Sequence, residues 1–262
     1  MKEIVAKFTS YDGLVLEGTY CSPSDSPRGS ILLVHGITSN REEWGFFTKL
    51  AEILKKVGIA SFRIDYRCHG VNKIPFEQLS LGGIVNDINA AFMKMVELNG
   101  NANIPRYIMG CSFGGGVSAF WAKHNHQKVK KIFLCYPVIN YEEDILKTAG
   151  KWEVSLNRHG YLEYIGNRNI TRPLINEVLY INGEEAVTNP PCKVVIIHGE
   201  IDSDVPISFS QEYCAKSSNC ELFVINGADH GFAVPGDLDL EDPKSWENIE
   251  KVYEIIKKQI QG

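Results

Sequence analysis

No stretch of these 262 residues is apolar for long enough to cross a bilayer; the longest aliphatic runs, Ile31–Val34 and Val194–Ile197, are strand-sized. Met1 to Tyr20 alternates charged and apolar side chains and lacks the apolar centre of a secretion signal. A basic surplus is missing too. The 27 Lys+Arg against 32 Asp+Glu leave a formal net charge of -5 without a basic stripe, so no nucleic-acid partner is expected. The seven cysteines (Cys21, Cys68, Cys111, Cys135, Cys192, Cys214, Cys220) are odd in number and never fall in C-x-x-C. Neither a disulfide framework nor a zinc ribbon is expected from that pattern. Repeats and low-complexity tracts are lacking as well. These absences lead us to expect a cytoplasmic protein without stable membrane insertion, and they leave the oligomeric state open.

Apolar material is plentiful. Hydrophobic residues make up 44% and charged residues 23%, enough for a full core without metals or disulfides. From residue 30 onward, short β-rich runs alternate with helical ones. Ser30–His35 is continuously apolar up to its last residue and stops at Gly36, as a strand buried on both faces should. Glu42–Val57 follows, with Trp44, Phe47, Leu50, Ala51 and Leu54 at spacings of three and four, and Gly58 as its stop. The rhythm continues with strands at Ile59–Ile64, Pro105–Met109 and Val129–Cys135 and helices at Leu81–Leu98 and Phe113–His124. It returns with strands Lys193–Ile197 and Glu221–Ile225 and helices Ile207–Lys216 and Ser245–Ile260. Such alternation implies a mostly parallel sheet with helices on both faces. Glu3–Thr9 and Leu14–Tyr20, joined through Asp12-Gly13, read as an antiparallel edge hairpin.

Between Pro137 and Pro191 the rhythm breaks, with no clear strand but several aromatics, including Tyr141, Trp152, Tyr161, Tyr164 and Tyr180. A long irregular segment in a compact domain is usually functional or disordered, and the aromatics argue against disorder. We expect a core of residues 1–136 and 189–262 with an inserted cap at 137–188. Trp152, Tyr161 and Tyr164 are the candidate substrate contacts there. The stretch Pro137–Pro191 holds eight acidic against five basic residues, which disfavours an anionic membrane as its partner.

Gly110-Cys111-Ser112-Phe113-Gly114 fits G-x-S-x-G between a strand and a helix. In that setting the serine sits on a sharp turn at the carboxyl edge of the sheet, and the flanking glycines avoid collisions. A hydroxyl needs a base to become a nucleophile, and Asp229-His230-Gly231 follows the strand Glu221–Ile225 at the same edge. Acids follow the strand before it, at Asp202 and Asp204, so the chain order is serine, acid, histidine. Asp202 is the better placed to point at the histidine loop. Taken alone, Ser112 could be a helix N-cap. His35, His69 and His198 each precede a glycine or a turn, and structural hydrogen bonds are expected of them rather than metal ligation. Cys111 reads as a small buried hydrophobe, and Glu42 and Glu43 as acids in the first turn of a helix.

On these residues the chain resembles the α/β-hydrolase superfamily in its serine esterase branch, similar to cinnamoyl and feruloyl esterases and monoacylglycerol lipases. The family's Gly-x-x-Asp-x-x-Val-Pro pattern is met by Gly199, Asp202, Val205 and Pro206, which favours Asp202 as the acid. His35-Gly36-Ile37-Thr38 resembles the oxyanion loop and implies the amides of Ile37 and Phe113 as donors. Asp65–Asn72 resembles Asp-x-Arg-Gly-His-Gly-x-Ser, with Cys68 for a glycine and Asn72 for the serine. Cys111 and Phe113 differ from the histidine and glutamine common in cinnamoyl esterases, which weakens any transfer of their substrate preference.

The expectation is therefore a serine-dependent carboxylic ester hydrolase, working through an acyl-enzyme on a bulky, partly hydrophobic ester. Catalytic roles fall to Ser112, Asp202 and His230, without cofactor or metal. A lactonase (including one opening a macrocyclic lactone), a thioesterase or an aminopeptidase would use the same triad. A binding protein of the same fold would be expected to have lost a triad residue, and none is lost.

Overall fold

Alternation hidden inside continuously apolar strands decides the layout. The computed structural model describes residues 2–149, 152–164, 168–181 and 183–262. The chain opens with antiparallel strands β1 (Lys2–Thr9) and β2 (Val15–Ser22). There follow β3 (Gly29–Val34), α1 (Phe46–Lys56), β4 (Ile59–Asp65), α2 (Leu81–Leu98), β5 (Arg106–Cys111), α3 (Phe113–His124) and β6 (Lys131–Cys135). Then come α4 (Tyr141–Ala149), α5 (Trp152–His159), β7 (Tyr161–Tyr164), β8 (Arg168–Thr171), α6 (Arg172–Val178) and α7 (Glu184–Thr188). The chain closes with β9 (Lys193–Gly199), α8 (Ile207–Ala215), β10 (Cys220–Ile225) and α9 (Pro243–Gln261).

Eight strands make one sheet in the order β1-β2-β4-β3-β5-β6-β9-β10. The pairings of β2 with β1 and β4 are antiparallel and the rest are parallel. Every residue of β3, β4 and β6 is buried. Even so, successive side chains go to opposite faces. Leu32, Val34, Phe62, Ile108, Leu134 and Ile196 pack with α2 and α3 in one core. Ile31, Leu33, Met109, Phe133, Val195 and Ile197 pack with α1 and α9 in the other. Each such side chain contributes about 1.5–3 kcal/mol when fully buried. The parallel register ends β3, β5, β6 and β9 at one edge, where Val34 pairs with Gly110, and Cys111 with Cys135, which pairs with Ile197. Among the described residues no helix is long and apolar enough to cross a membrane.

Several expectations need correcting. The helix read from Glu42 becomes regular only at Phe46, because Glu43 and Trp44 take φ of 43° and 54° and break the right-handed winding. Residues Pro137–Pro191, read as strandless, contain the β7–β8 hairpin, with Tyr161 opposite Thr171; four-residue strands are too short to show a period. The cysteine pattern argues against a disulfide framework, and a single pair is nonetheless bonded: the end of α8 and the start of β10 bring the Cα atoms of Cys214 and Cys220 to 5.0 Å. An odd count excludes full pairing, not one pair. Cys68, at the glycine position of the pattern this turn resembles, stands at φ 64°, a conformation glycine adopts without strain.

The turn after β4 is anchored by a buried ion pair. The Arg67 guanidinium reaches Asp87 through Nε at 2.9 Å and Nη2 at 2.8 Å, and the Arg67 amide adds 3.0 Å. Asp87 on α2 is wholly inaccessible to solvent. Asp12 also pairs with this guanidinium, at 2.9 Å, so removing Asp87 costs its charged hydrogen bonds and not the whole neutralisation, and Asp87→Ala is expected to cost about 1.5–3 kcal/mol. Urea unfolding measures this; a loss under about 1 kcal/mol, the range of a surface pair, would contradict it.

Candidate active site

Ser112 occupies the single residue between β5 and α3, at φ 48° and ψ -122°. The glycines around it are a steric requirement. A Cβ on Gly110 would sit 2.3 Å from the Gly114 carbonyl oxygen, and one on Gly114 would sit 2.1 Å from that of His35. Hydrogen bonds hold the strained backbone: the Ser112 amide donates to Cys135 O at 2.9 Å, and its carbonyl accepts from Gly115 at 2.9 Å and Val138 at 3.0 Å. The side chain makes no capping bond, so the N-cap reading fails and the hydroxyl is left for other partners.

Its partner is His230, whose Nε2 lies 3.2 Å from Ser112 Oγ across 118 residues of sequence. Nδ1 lies 2.9 and 3.1 Å from the two carboxylate oxygens of Asp202, so an Nδ1–H donates there and Nε2 is left to accept. Asp202 lies in the loop after β9 and also accepts from the amides of Val205 at 2.8 Å and Asp204 at 3.1 Å. His198 Nε2 approaches it at 3.2 Å while facing Val205 O at 2.9 Å, two acceptors that require a proton on that nitrogen. Asp204 gives only its amide to this cluster, so the geometry brings Asp202, not Asp204, to the histidine. Asp229 shapes the loop by accepting from the amides of Ser203 at 2.8 Å and His230 at 2.7 Å.

The electrostatics follow from those contacts. Burial pushes the Asp202 carboxyl up, but hydrogen bonds from His198 and His230 and the His230 charge outweigh it and hold it below the usual range. Burial pushes His230 down, and the hydrogen bond and charge of Asp202, with Asp204 and Glu43 behind, leave it above its ordinary 6.5.

The loop after β3 is held at several points. The Gly36 amide donates to Glu43 Oε2 at 3.0 Å, and its carbonyl accepts from Tyr66 Oη at 3.1 Å and faces His35 Nδ1 at 2.7 Å. The Thr38 amide donates to His69 Nε2 at 3.1 Å, and His69 Nδ1 faces Arg67 O at 2.9 Å. Burial keeps His69 neutral, pushed down to about 4. The expected structural roles of His35, His69 and His198 match these contacts. The Ile37 amide, between the fixed ones, meets no acceptor among the described residues, and Phe113 opens α3 with its amide in the unpaired first turn. No group of three or more His, Cys, Asp or Glu among the described residues could hold a metal ion.

A cavity of about 620 Å³ opens over these groups, lined among others by Ile37, Ser112, Phe113, His230, Trp44 and Tyr164. Tyr164 donates from its hydroxyl to Asp144 at 2.6 Å, also on the wall. Tyr161 is two-fifths exposed and does not line the cavity, because residues alternate along β7 and Tyr164 takes the inward side. The side chain of Trp152 lies outside the described residues. Sequence reasoning missed Trp44, Glu43, Tyr136 and Leu238 on the wall. Trp44 was absorbed into a helical face; Tyr136, at a strand end, carried no pattern at all.

Against this geometry, the family described as serine aminopeptidase, S33, matches residues 25–173. A monoacylglycerol lipase of Mycolicibacterium smegmatis is 23% identical over 141 residues, 53% of this chain and 48% of that protein, so the match spans about half the relative's length. Among solved structures, Est1E from Butyrivibrio proteoclasticus with ferulic acid bound superposes with a TM-score of 0.80 at 23% identity, covering 98% of this chain and 100% of that one. A putative hydrolase from Agrobacterium vitis S4 reaches 0.77 at 16% identity, covering 98% of each. The shared architecture is the α/β-hydrolase fold.

The raised His230 sets a pH expectation. Only neutral imidazole accepts a proton, so kcat/KM for an ester should fall as pH drops through a midpoint above 6.5. Asp202→Asn removes the anion that raises His230 and should move that midpoint down. A wild-type midpoint at or below 6.5 would contradict this account.

Proposed function

We propose that this chain, which belongs to the family described as serine aminopeptidase, S33, hydrolyses carboxylic esters through an acyl-enzyme on Ser112. The observation that carries the reading is the unbroken run of contacts from Ser112 Oγ to His230 at 3.2 Å and from His230 to Asp202 at 2.9 Å, beneath an open cavity. As Ser112 Oγ attacks the ester carbonyl, its proton passes to His230 Nε2, and Asp202 stabilises the imidazolium. The carbonyl oxygen takes the negative charge and is met by the amides of Ile37 and Phe113. Losing one such donor typically raises the barrier by about 3–4 kcal/mol. His230 then protonates the leaving alcohol. A water loses its proton to His230 and attacks the acyl carbon, and the proton returns to Ser112 as the acid leaves.

We read residues 137–188 as the cap over this site and 1–136 with 189–262 as its core. Tyr164 brings the cap to the cavity wall, where Trp44 and Leu238 supply apolar surface. A cavity of about 620 Å³ falls in the range of small-molecule sites, roughly 300–1,000 Å³, and supports a bulky, partly hydrophobic ester over an acetyl ester. The bound ferulic acid of Est1E and the lipase name of the Mycolicibacterium relative support the same choice.

p-Nitrophenyl esters of increasing acyl length test the reading. Wild type is expected to turn over, with kcat rising toward longer or aryl-bearing acyl groups. Ser112→Ala and His230→Ala should each lower kcat by at least about 10³-fold. A wild type that neither turns over nor is labelled at Ser112 by a fluorophosphonate would overturn it. Labelling without turnover, followed by hydrolysis of a lactone, a thioester or an aminoacyl anilide, would move the substrate class while keeping the triad.

A further inference from the structure

Beside the nucleophile lies a carboxyl that the proposed chemistry does not use. Glu43 is 6% exposed, stands at φ 43°, and takes the Gly36 amide at 3.0 Å. A Cβ built on Gly36 would lie 3.3 Å from both Glu43 Oε1 and Ser112 Cβ, so the carboxyl and the nucleophile's side chain flank Gly36. The hydroxyls of Ser39 and Tyr136 lie within its electrostatic reach, the Tyr136 hydroxyl facing the Cys111 thiol as well. These donors are uncharged, and a buried carboxyl held by such groups carries a large desolvation penalty.

Tyr136 is the second part. It follows β6 at φ 38°, donates its amide to Ile197 O at 2.9 Å, and is almost wholly buried. Its ring meets the His230 imidazole edge-on at 4.7 Å and Phe232 at 4.9 Å. Both residues hold left-handed backbones that cost energy and persist only where their surroundings over-determine them.

We propose that Glu43 and Tyr136 are positioning residues forming one buried bracket between the oxyanion loop and the general base. Glu43 fixes the loop through the Gly36 amide, Tyr136 braces the His230 ring, and the Tyr136 hydroxyl joins the two at the carboxyl. The inference rests on the hydrolase reading of Ser112 and His230. Its function is to keep the Ile37 amide and His230 Nε2 at a set separation, so that proton transfer and oxyanion capture occur on one substrate pose.

Steady-state kinetics with a p-nitrophenyl ester, beside thermal unfolding, test the bracket. Glu43→Leu should lower kcat about 10²-fold, the size of losing one oxyanion donor, with KM changed by less than about twofold. Glu43→Gln keeps an oxygen for the Gly36 amide and should recover to within about tenfold of wild type. Tyr136→Phe should lower kcat about tenfold alone and add nothing in the Glu43→Leu background, since the two act as a unit. The bracket is overturned if Glu43→Leu keeps kcat within about twofold, if Gln is as damaging as Leu, or if Tyr136→Phe loses the same factor in both backgrounds. Should Glu43→Leu not fold, Tyr136→Phe decides: lower kcat at unchanged KM and melting temperature supports the bracket, and unchanged kcat overturns it. Wild-type turnover that Glu43→Leu matches removes the bracket alone. Absent turnover and labelling remove the hydrolase reading and the bracket together.

Discussion

The first turn of α3 presses so closely on the ends of β3 and β5 that side chains are excluded, and the site depends on that contact. Gly110 meets the Gly114 backbone and Gly114 meets the His35 carbonyl. Because the backbones touch, Ser112 is lifted into a left-handed conformation and its hydroxyl is aimed off the helix. The same contact brings the loop after β3 beside the nucleophile, so that Ile37 and Phe113 line one cavity with Ser112. Under the proposed chemistry, backbone dipoles fixed in such a loop need no reorganisation when charge develops, which is where their advantage over water lies.

Around that point the fold concentrates backbone strain. Thr38, Glu43, Trp44, Ser112, Tyr136 and Phe232 are non-glycine residues at positive φ, and each lies in or beside the cavity. Such conformations persist where hydrogen bonds and packing on all sides leave no alternative. The bonds at Ser112, the fixed carbonyl and amide of Gly36 and the Tyr136 ring set edge-on to His230 are those constraints.

Much of this was legible in the sequence. Parallel strands appear as unbroken apolar runs, and the order of Ser112, Asp202 and His230 after successive strands follows from where such strands end. Their roles stay a proposal, but the geometry brings the three together. Asp202 and Asp204 follow the same strand, so the preference for Asp202 comes from its distance past the strand end and is strengthened by the family pattern. The β7–β8 hairpin escaped because four-residue strands carry too little periodicity. Glu43 and Trp44 escaped for a different reason: their side chains have helical spacing, while their backbone conformation is imposed by the loop they pack against. Tyr136 escaped entirely, because its place follows from which strand ends beside His230, a property of the assembled sheet. The Cys214–Cys220 pair was equally invisible, since a count of thiols does not say which elements meet.

The segment from α4 to α7 interrupts the chain between two strands, β6 and β9, that are direct neighbours in the sheet. The sheet therefore sees that segment as one loop. The entropy of closing a flexible loop grows only as the logarithm of its length, about 0.6 kcal/mol per doubling. Residues can be added or exchanged there at little cost to the sheet that carries Ser112, Asp202 and His230. Selection can rework the walls of the cavity while the chemistry beneath stays fixed. The cost is kinetic, since β6 and β9 must find each other across the whole interruption before the histidine loop has a place to dock.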